Sequence, residues 1–364
     1  MKNYVIKYAL FSLPFFILIC VELFILPIDF FTFRAWETLI RQRSYGLLQG
    51  PFYPGMTLVK TEEGGDLKPS PVCAVKKKDV VWQTDAYGYR KVPSSDSRYP
   101  IIIVGDSNAA GGGLSQDEMI SEVLEKRLGK GVYPLAPESL KSIFKHHILK
   151  QTKPDVVILE MIERGIITGN FKIPRNADFH PSSCLEKIIW SIQMNPVLQS
   201  LAVKIDRVFK ANGLQYLKAR INSKEVNHHR GGATEPCPVL FLQGAYANRN
   251  IPDDIRLQIV QNIKHWSDFF TRKGIRFIFL PIPNKENIYH KQVGTPKPVF
   301  LEKLIRDLRD GGVEVVDTQK AFEEITQRKG VHLYHRDDTH WNAKGVEVAA
   351  SLVADFLKTP PQRQ

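Results

Sequence analysis

From Pro100 onward, short runs of branched apolar residues recur along the chain: Ile101 to Val104, Val132 to Leu135, Val156 to Leu159, Ile275 to Leu280 and Val313 to Val316. Runs this apolar fit strands covered on both faces. Segments with helical spacing lie between them, and some carry start signals. Ser115-Gln116-Asp117-Glu118, for example, has the form of a capping box ahead of MISEVLEKRL. Strand and helix in alternation predict a parallel sheet between helical layers, because parallel strands need crossover connections and nearly all of these are right-handed. The expected fold class is therefore α/β, a three-layer, flavodoxin-like, doubly wound parallel sheet of about five strands occupying residues 100–358.

Two regions break the alternation. Residues 31–99 are rich in Pro, Gly and charge and read as an extended stem with a small strand pair around VVWQTDAYGYR. Residues 165–250 are too long for a simple crossover. They hold the helical patterns LEKIIWSI and VLQSLAVKIDRVF, then the polar loop VNHHRGGATEP, and are expected to form an inserted lid or side subdomain.

Ahead of both regions, Tyr8 to Ile28 is an apolar stretch whose only charge is Glu22. At about 1.5 Å of rise per residue it just spans a hydrocarbon layer of about 30 Å. A cleaved signal peptide is the competing reading, but no A-x-A-like site follows. Residues 1–30 are accordingly expected to be a single-pass anchor. Lys2 and Lys7 favour a cytoplasmic start and an exported body, while Arg34, Arg41 and Arg43 dilute that signal. Glu22 lies near the far end of the span, within reach of the interface.

The composition, with 43% hydrophobic and 24% charged residues, is that of a globular chain and excludes a disordered or low-complexity one. The net charge of +12 predisposes the surface to anionic partners. Within the insertion, Lys204, Arg207, Lys210, Lys218, Arg220, Lys224 and Arg230 face only Asp206 and Glu225. This pattern suits either a basic wall for an acidic ligand or a solvated helical surface. No helix-turn-helix, aromatic RNA-binding motif or zinc-finger spacing accompanies the charge, so nucleic acid is not an expected partner. With the body exported, one pair among Cys73, Cys184 and Cys237 can bridge, while Cys20 sits in the span. His228-His229 has no second ligand pair nearby, and neither a metal nor a cofactor is expected.

The chemistry is carried by two short elements at opposite ends of the domain. The first strand ends in Gly105-Asp106-Ser107, followed by Asn108 and a glycine triplet, which places a serine at the carboxyl edge of the sheet where such folds bind ligands. A bare GDS occurs by chance in about one such chain in ten, so its weight comes from the second element. That element, Arg336-Asp337-Asp338-Thr339-His340-Trp341-Asn342, precedes the closing helix and falls on the same sheet edge. A serine needs a base to become a nucleophile, and the base needs an orienting carboxylate; a histidine closely preceded by aspartate supplies both.

With GDSN-x-x-x-G-G, DTHWN-x-x-G, VVILEMIER and PIPNKENIY, the chain resembles the SGNH, or GDSL, esterases and acyltransferases, and most of all the exported branch related to alginate O-acetyltransferases. The likeness runs over about residues 83–357. It implies Ser107 as nucleophile and His340 as general base. The DTHW form makes Asp338 the orienting carboxylate, whereas the D-x-x-H form of the wider family would make it Asp337; Asp106 is expected to be structural. The hydrolytic branch draws oxyanion donors from a glycine block and an asparagine block. Here the second strand leads into Leu135-Ala136-Pro137-Glu138-Ser139 and the third into Glu160-Met161-Ile162-Glu163-Arg164, so Asn108 and Arg164 are the candidate donors.

The resemblance implies an acetyl group moved to hydroxyls of a polysaccharide, acidic or neutral, through an acyl-serine. The expected setting is the outer face of the cytoplasmic membrane, with the body in the periplasm or cell exterior and a multi-pass membrane O-acyltransferase delivering acetyl groups. An esterase built on the same residues, and a silent glycan-binding component of an export complex, are the alternatives.

Overall fold

The five apolar runs pair as one parallel sheet. The computed structural model describes residues 2–42, 48–62, 64–67, 77–92, 98–151, 153–169, 171–175, 177–179, 181–226, 239–242 and 251–360. An antiparallel pair comes first, β1 (Thr57–Glu62) and β2 (Lys78–Gln83). The parallel strands follow: β3 (Ile101–Val104), β4 (Val132–Leu135), β5 (Val156–Ile162), β6 (Arg276–Ile282) and β7 (Glu314–Val315). Their order is β4-β3-β5-β6-β7, the doubly wound order with its switch point beside β3.

Alternate residues of these strands feed two cores. Ile101, Ile103, Ile158 and Ile278 face one layer, which includes the helices Ile120–Leu128 and Ala343–Lys358. Ile102, Val104, Val157 and Phe277 face the other, with the helices Asp253–Arg272 and Phe300–Asp310. Ile102, Ile103 and Val104 have no exposed surface, and each such side chain contributes about 1.5–3 kcal/mol through burial. The three-layer expectation therefore holds. The expected capping box forms, with the Glu118 carboxylate accepting from the Ser115 amide at 2.8 Å, and the Ser115 hydroxyl also accepts from the Val81 amide.

Residues expected to form an extended stem are packed instead. Ala35, Leu39, Phe52, Tyr53, Leu58, Val80 and Trp82 belong to the first core, where Trp36, Phe52 and Trp82 meet edge to face. Apolar residues scattered between Pro and Gly give no periodic signal, yet together they cover the sheet's helical layer. The insertion contributes helices Cys184–Gln193, Pro196–Lys210 and Asn212–Val226. Its Asp206 accepts from Tyr53 Oη at 2.8 Å and from the Gln42 amide, so it docks beside the N-terminal segment.

Two of the insertion's cations fit neither the basic wall nor the solvated surface, whereas Lys204 and Lys218 are exposed. Lys210 is buried, donating to the carbonyls of Glu37, Thr38 and Ile40, and Arg207 is buried, donating to the Glu22 carbonyl. Cations engaged in this way are not presented to a ligand. Arg230, His228, His229, Cys73 and Cys237 lie outside the described residues, whereas Cys184 is free and exposed at the start of its helix.

The N-terminal helix Lys2–Phe24 contains a 21-residue apolar span, Tyr4–Phe24, whose apolar window has no residue buried inside the protein. By length and composition it fits a single-pass anchor or a signal sequence.

Candidate active site

Ser107 follows β3 at the sheet's carboxyl edge, and its position is set by two carboxyl groups. Asp106 accepts the Asn108 amide at 2.8 Å through one oxygen and the Ile162 amide at 2.8 Å through the other, tying the serine turn to the end of β5. Beneath it, Glu160 is fully buried and accepts the amides of Asp106 and Ala109, both at 3.2 Å. Burial, with the neighbouring Asp106 charge added, pushes the Glu160 carboxyl well above its ordinary range.

The histidine loop arrives from the other end of the chain. His340 Nε2 lies 2.6 Å from Ser107 Oγ, joining residues 233 positions apart. Its Nδ1 hydrogen bonds to Asp338 Oδ1, which also accepts the His340 amide at 2.9 Å. Burial alone would lower the imidazole pKa, but the charge of Asp338 and its hydrogen bond, aided by Asp66 and Asp106, raise it above the ordinary value. Against the opposing effect of burial, His340 holds the Asp338 carboxyl well below the usual carboxylate range. An ionised carboxylate on Nδ1 leaves Nε2 free to accept a proton. Asp337 lies elsewhere, accepting the Gly65 amide at 2.7 Å.

Close packing confines the pair. A Cβ on Gly112 would lie 2.9 Å from His340 Nε2, so only glycine lets the serine loop run beneath the ring. Asn108 is fully buried; its Nδ2 donates to Asp106, and its Oδ1 accepts the Trp341 amide at 3.4 Å. Its side-chain amide thus fastens the serine loop to the histidine loop instead of facing a substrate. Arg164 donates through Nη2 to Thr339 Oγ1 at 3.2 Å, beside His340, and its Nη1 is buried with no partner.

Three contributors carry no local sequence signal. Asp66, from the supposed stem, accepts from both the amide and the hydroxyl of Thr339, at 2.7 and 2.6 Å. Its carboxylate lies 3.7 Å from His340 Nδ1, and its own amide donates to Asp338 Oδ2 at 3.0 Å. Burial, then repulsion from Asp338, pushes the Asp66 carboxyl up, so of the two Asp338 is the more readily ionised. Arg90 lies over the Trp82 ring at 3.8 Å and donates to the carbonyls of Gly111 and Leu114 at 2.6 and 3.0 Å, bracing the glycine loop. Lys285, fully buried, donates to the carbonyls of His335, Arg336 and Asp338 at 2.6, 2.9 and 3.0 Å and so shapes the aspartate loop; burial brings its pKa down to about 8. Lys285 stands inside PIPNKENIY, a segment that carried the family resemblance but gave no sign of this lysine's role. Asp66, Asp338 and His340 offer oxygen and nitrogen atoms within 4.8 Å of one another, but the short bond between Asp338 and His340 already uses the inner donors.

A cavity of about 420 Å³ opens beside this edge, lined by Gly105, Asp106, Pro137, Leu159, Phe171 and Trp266 among others. A second, of about 360 Å³, adjoins the outer side of Asp338 and is lined by Gly65, Lys78 and His335.

Comparison with known proteins bears out the resemblance. Residues 240–364 match the family described as the SGNH hydrolase-like domain of acetyltransferase AlgX. Over 123 residues the chain is 26% identical to a probable alginate O-acetylase AlgJ of Azotobacter vinelandii, a stretch that makes up 32% of this chain and 30% of the relative. The chain therefore spans under a third of the length of the curated relative it matches. A lipase/acylhydrolase from Enterococcus faecalis superposes with a TM-score of 0.35 at 12% identity, over 73% of this chain and all of the other. The family match contains Asp338 and His340 but not Ser107, whose link to them rests on the geometry above. The C-terminal third is thus similar to SGNH-like proteins of the alginate O-acetyltransferase type.

Proposed function

We propose that this chain is a membrane-anchored, extracytoplasmic O-acyltransferase that moves acetyl groups onto hydroxyls of an alginate-type polysaccharide through an acyl-serine. The observation that carries the reading is the 2.6 Å approach of Ser107 Oγ to His340 Nε2, with Asp338 on the far side of the ring.

In this reading His340 takes the Ser107 proton as Oγ attacks the acetyl carbonyl of the donor. The tetrahedral intermediate collapses, expelling the donor's leaving group, which receives the proton from His340. A sugar hydroxyl then gives its proton to His340 while its oxygen attacks the acyl-serine, and Ser107 is regenerated on release of the acetylated sugar. Asp338 fixes the tautomer and stabilises the imidazolium in both steps. The unpartnered Arg164 Nη1 is the side-chain donor best suited to the developing oxyanion. The Tyr4–Phe24 span would hold the body at the outer face of the cytoplasmic membrane, in the periplasm or cell exterior. There an acetyl donor must come across the bilayer, and a multi-pass membrane O-acyltransferase is the fitting partner.

The test is mass spectrometry of the full chain and of Ser107→Ala after incubation with a reactive acetyl ester and oligouronate acceptors. The expected result is an acetyl adduct on the Ser107 peptide that acceptor discharges into acetylated sugar. Free acetate without acetylated sugar would assign an esterase instead, and equal adduct on both proteins would remove Ser107 from the mechanism.

A further inference from the structure

The helix Pro196–Lys210 is amphipathic in the reverse of the usual sense for a soluble protein. Three of its four charged residues, Asp206, Arg207 and Lys210, are buried against the protein and bonded there, to Tyr53, the Glu22 carbonyl and the carbonyls of Glu37, Thr38 and Ile40. Its apolar residues Val197, Leu198, Leu201, Ile205, Val208 and Phe209 are 38–75% exposed. At 3.6 residues per turn these six fall within about a third of the circumference, a continuous stripe running the length of the helix.

The preceding helix Cys184–Gln193 behaves alike. Trp190 stacks on His147 at 4.0 Å and Glu186 pairs with Lys150, which hold one side to the body. Leu185, Ile188, Ile189 and Ile192, on the other side, are 45–67% exposed. An apolar surface of this extent exceeds what monomeric soluble proteins usually leave to water.

The location of the stripe identifies what covers it. The Pro196–Lys210 helix touches the outer end of the apolar N-terminal helix: Arg207 donates to the Glu22 carbonyl at 2.8 Å, and Lys204 Nζ lies 5.0 Å from the Phe24 ring centre. If Tyr4–Phe24 spans a bilayer, residues 22–24 lie at its interface, and the stripe begins at that depth. Lys187 and Lys204 are exposed on these helices, as cations facing anionic headgroups would be.

We propose that the outward faces of helices Cys184–Gln193 and Pro196–Lys210 lie in the headgroup–acyl boundary of the membrane, making the insertion an interfacial foot that lays the body against the lipid. The proposal rests on the anchor reading above and adds a second, lateral attachment. A one-point anchor would let the body swing; two contacts would give the site a set height and orientation over the surface from which acetyl groups are delivered.

The test uses the full chain with its four cysteines replaced by serine, reconstituted in vesicles of phosphatidylcholine and phosphatidylglycerol. A single environment-sensitive NBD label is placed by Leu201→Cys, Ile189→Cys, Phe16→Cys or Lys320→Cys. Labels at 201 and 189 are expected to shift to the blue and lose most of their emission to lipids carrying a nitroxide near the headgroup. The label at 16 should respond most to a nitroxide near the chain end, and the label at 320, on an exposed helix of the body, to neither. Quenching at 16 without quenching at 201 and 189 would overturn the foot and leave the anchor standing; the converse would remove the anchor and leave the foot. Absence of quenching at all sites would overturn both. A blue shift at 201 without lipid quenching would show that a protein covers the face and would equally overturn the proposal. Leu201→Asp, at a residue that is 53% exposed, should reduce quenching of a label placed by Val197→Cys.

Discussion

Replacing Asp338 by asparagine isolates the part of the proposed mechanism that the fold works hardest to build. The substitution keeps the shape of the side chain but removes the charge that raises the His340 pKa, and it can offer an N–H to Nδ1. An imidazole receiving that N–H carries its own proton on Nε2, and so donates toward Ser107 Oγ instead of accepting from it. The electrostatic part follows from Coulomb's law: with charge centres about 4 Å apart and an effective dielectric of about 20, the carboxylate stabilises the imidazolium by about 4 kcal/mol. That is roughly a thousandfold in rate, and the tautomer reversal extends the expected loss in kcat toward 10⁴-fold. Asp66, 3.7 Å from Nδ1, retains a partial influence, so Asp338→Asn with Asp66→Asn should be slower still. Asp337→Asn, whose carboxylate meets the Gly65 amide and not the ring, should lose less than about tenfold. The assay is single-turnover acetylation of Ser107 by a chromogenic acetyl ester, with thermal unfolding as a check on folding. Asp338→Asn within tenfold of wild type, or Asp337→Asn as slow as Asp338→Asn, would refute the reasoning.

Four further expectations come from the same geometry. Because the raised imidazole must be neutral to act, kcat/KM should fall with acidity through a pKa above about 6.5, and Asp338→Asn should move that limb downward; a wild-type limb below 6.5 would contradict it. The linked stability has opposite signs in the two partners. The His340 contribution is full below its unfolded pKa and lost as pH rises through the folded one, whereas the Asp338 contribution is present above its unfolded pKa and lost as pH falls through its depressed folded value, so denaturant midpoints measured across pH should show both. Gly112→Ala should displace the His340 ring and slow acetylation by about a hundredfold while unfolding changes little; unchanged kinetics would mean the loop yields freely. Lys285→Met leaves three buried carbonyls without their cation and should destabilise the protein by about 3 kcal/mol, read as a lower urea midpoint; an unaltered midpoint would show that water replaces the ammonium.

The sheet was legible because strand burial is a local property. Ile101 to Val104 and Val132 to Leu135 match β3 and β4 residue for residue, while β5 and β6 run on to Ile162 and Ile282, beyond the expected Leu159 and Leu280. Ser107 and His340 were legible for a related reason, since strand ends on one edge of a doubly wound sheet must converge. Between Asp337 and Asp338 the DTHW form favoured Asp338, but spacing alone could not decide, because both lie within reach of the ring in sequence and only the turn around Thr339 sets which carboxylate reaches Nδ1.

By itself, then, the order of residues determined the strand order's raw material, the apolar N-terminal span and the two loops that meet, all of which depend on spacing within a few residues. Only the folded chain decided that Ala35, Leu39, Phe52, Tyr53, Val80 and Trp82 join the core, that Asp66 and Arg90 reach the serine and histidine loops, and that Arg207 and Lys210 turn inward while leucines and isoleucines face out. Each of these is a pairing between distant segments. A buried cation or carboxylate is tolerated only where partner oxygens or amides surround it, and those partners are supplied by chain separated by tens to hundreds of residues.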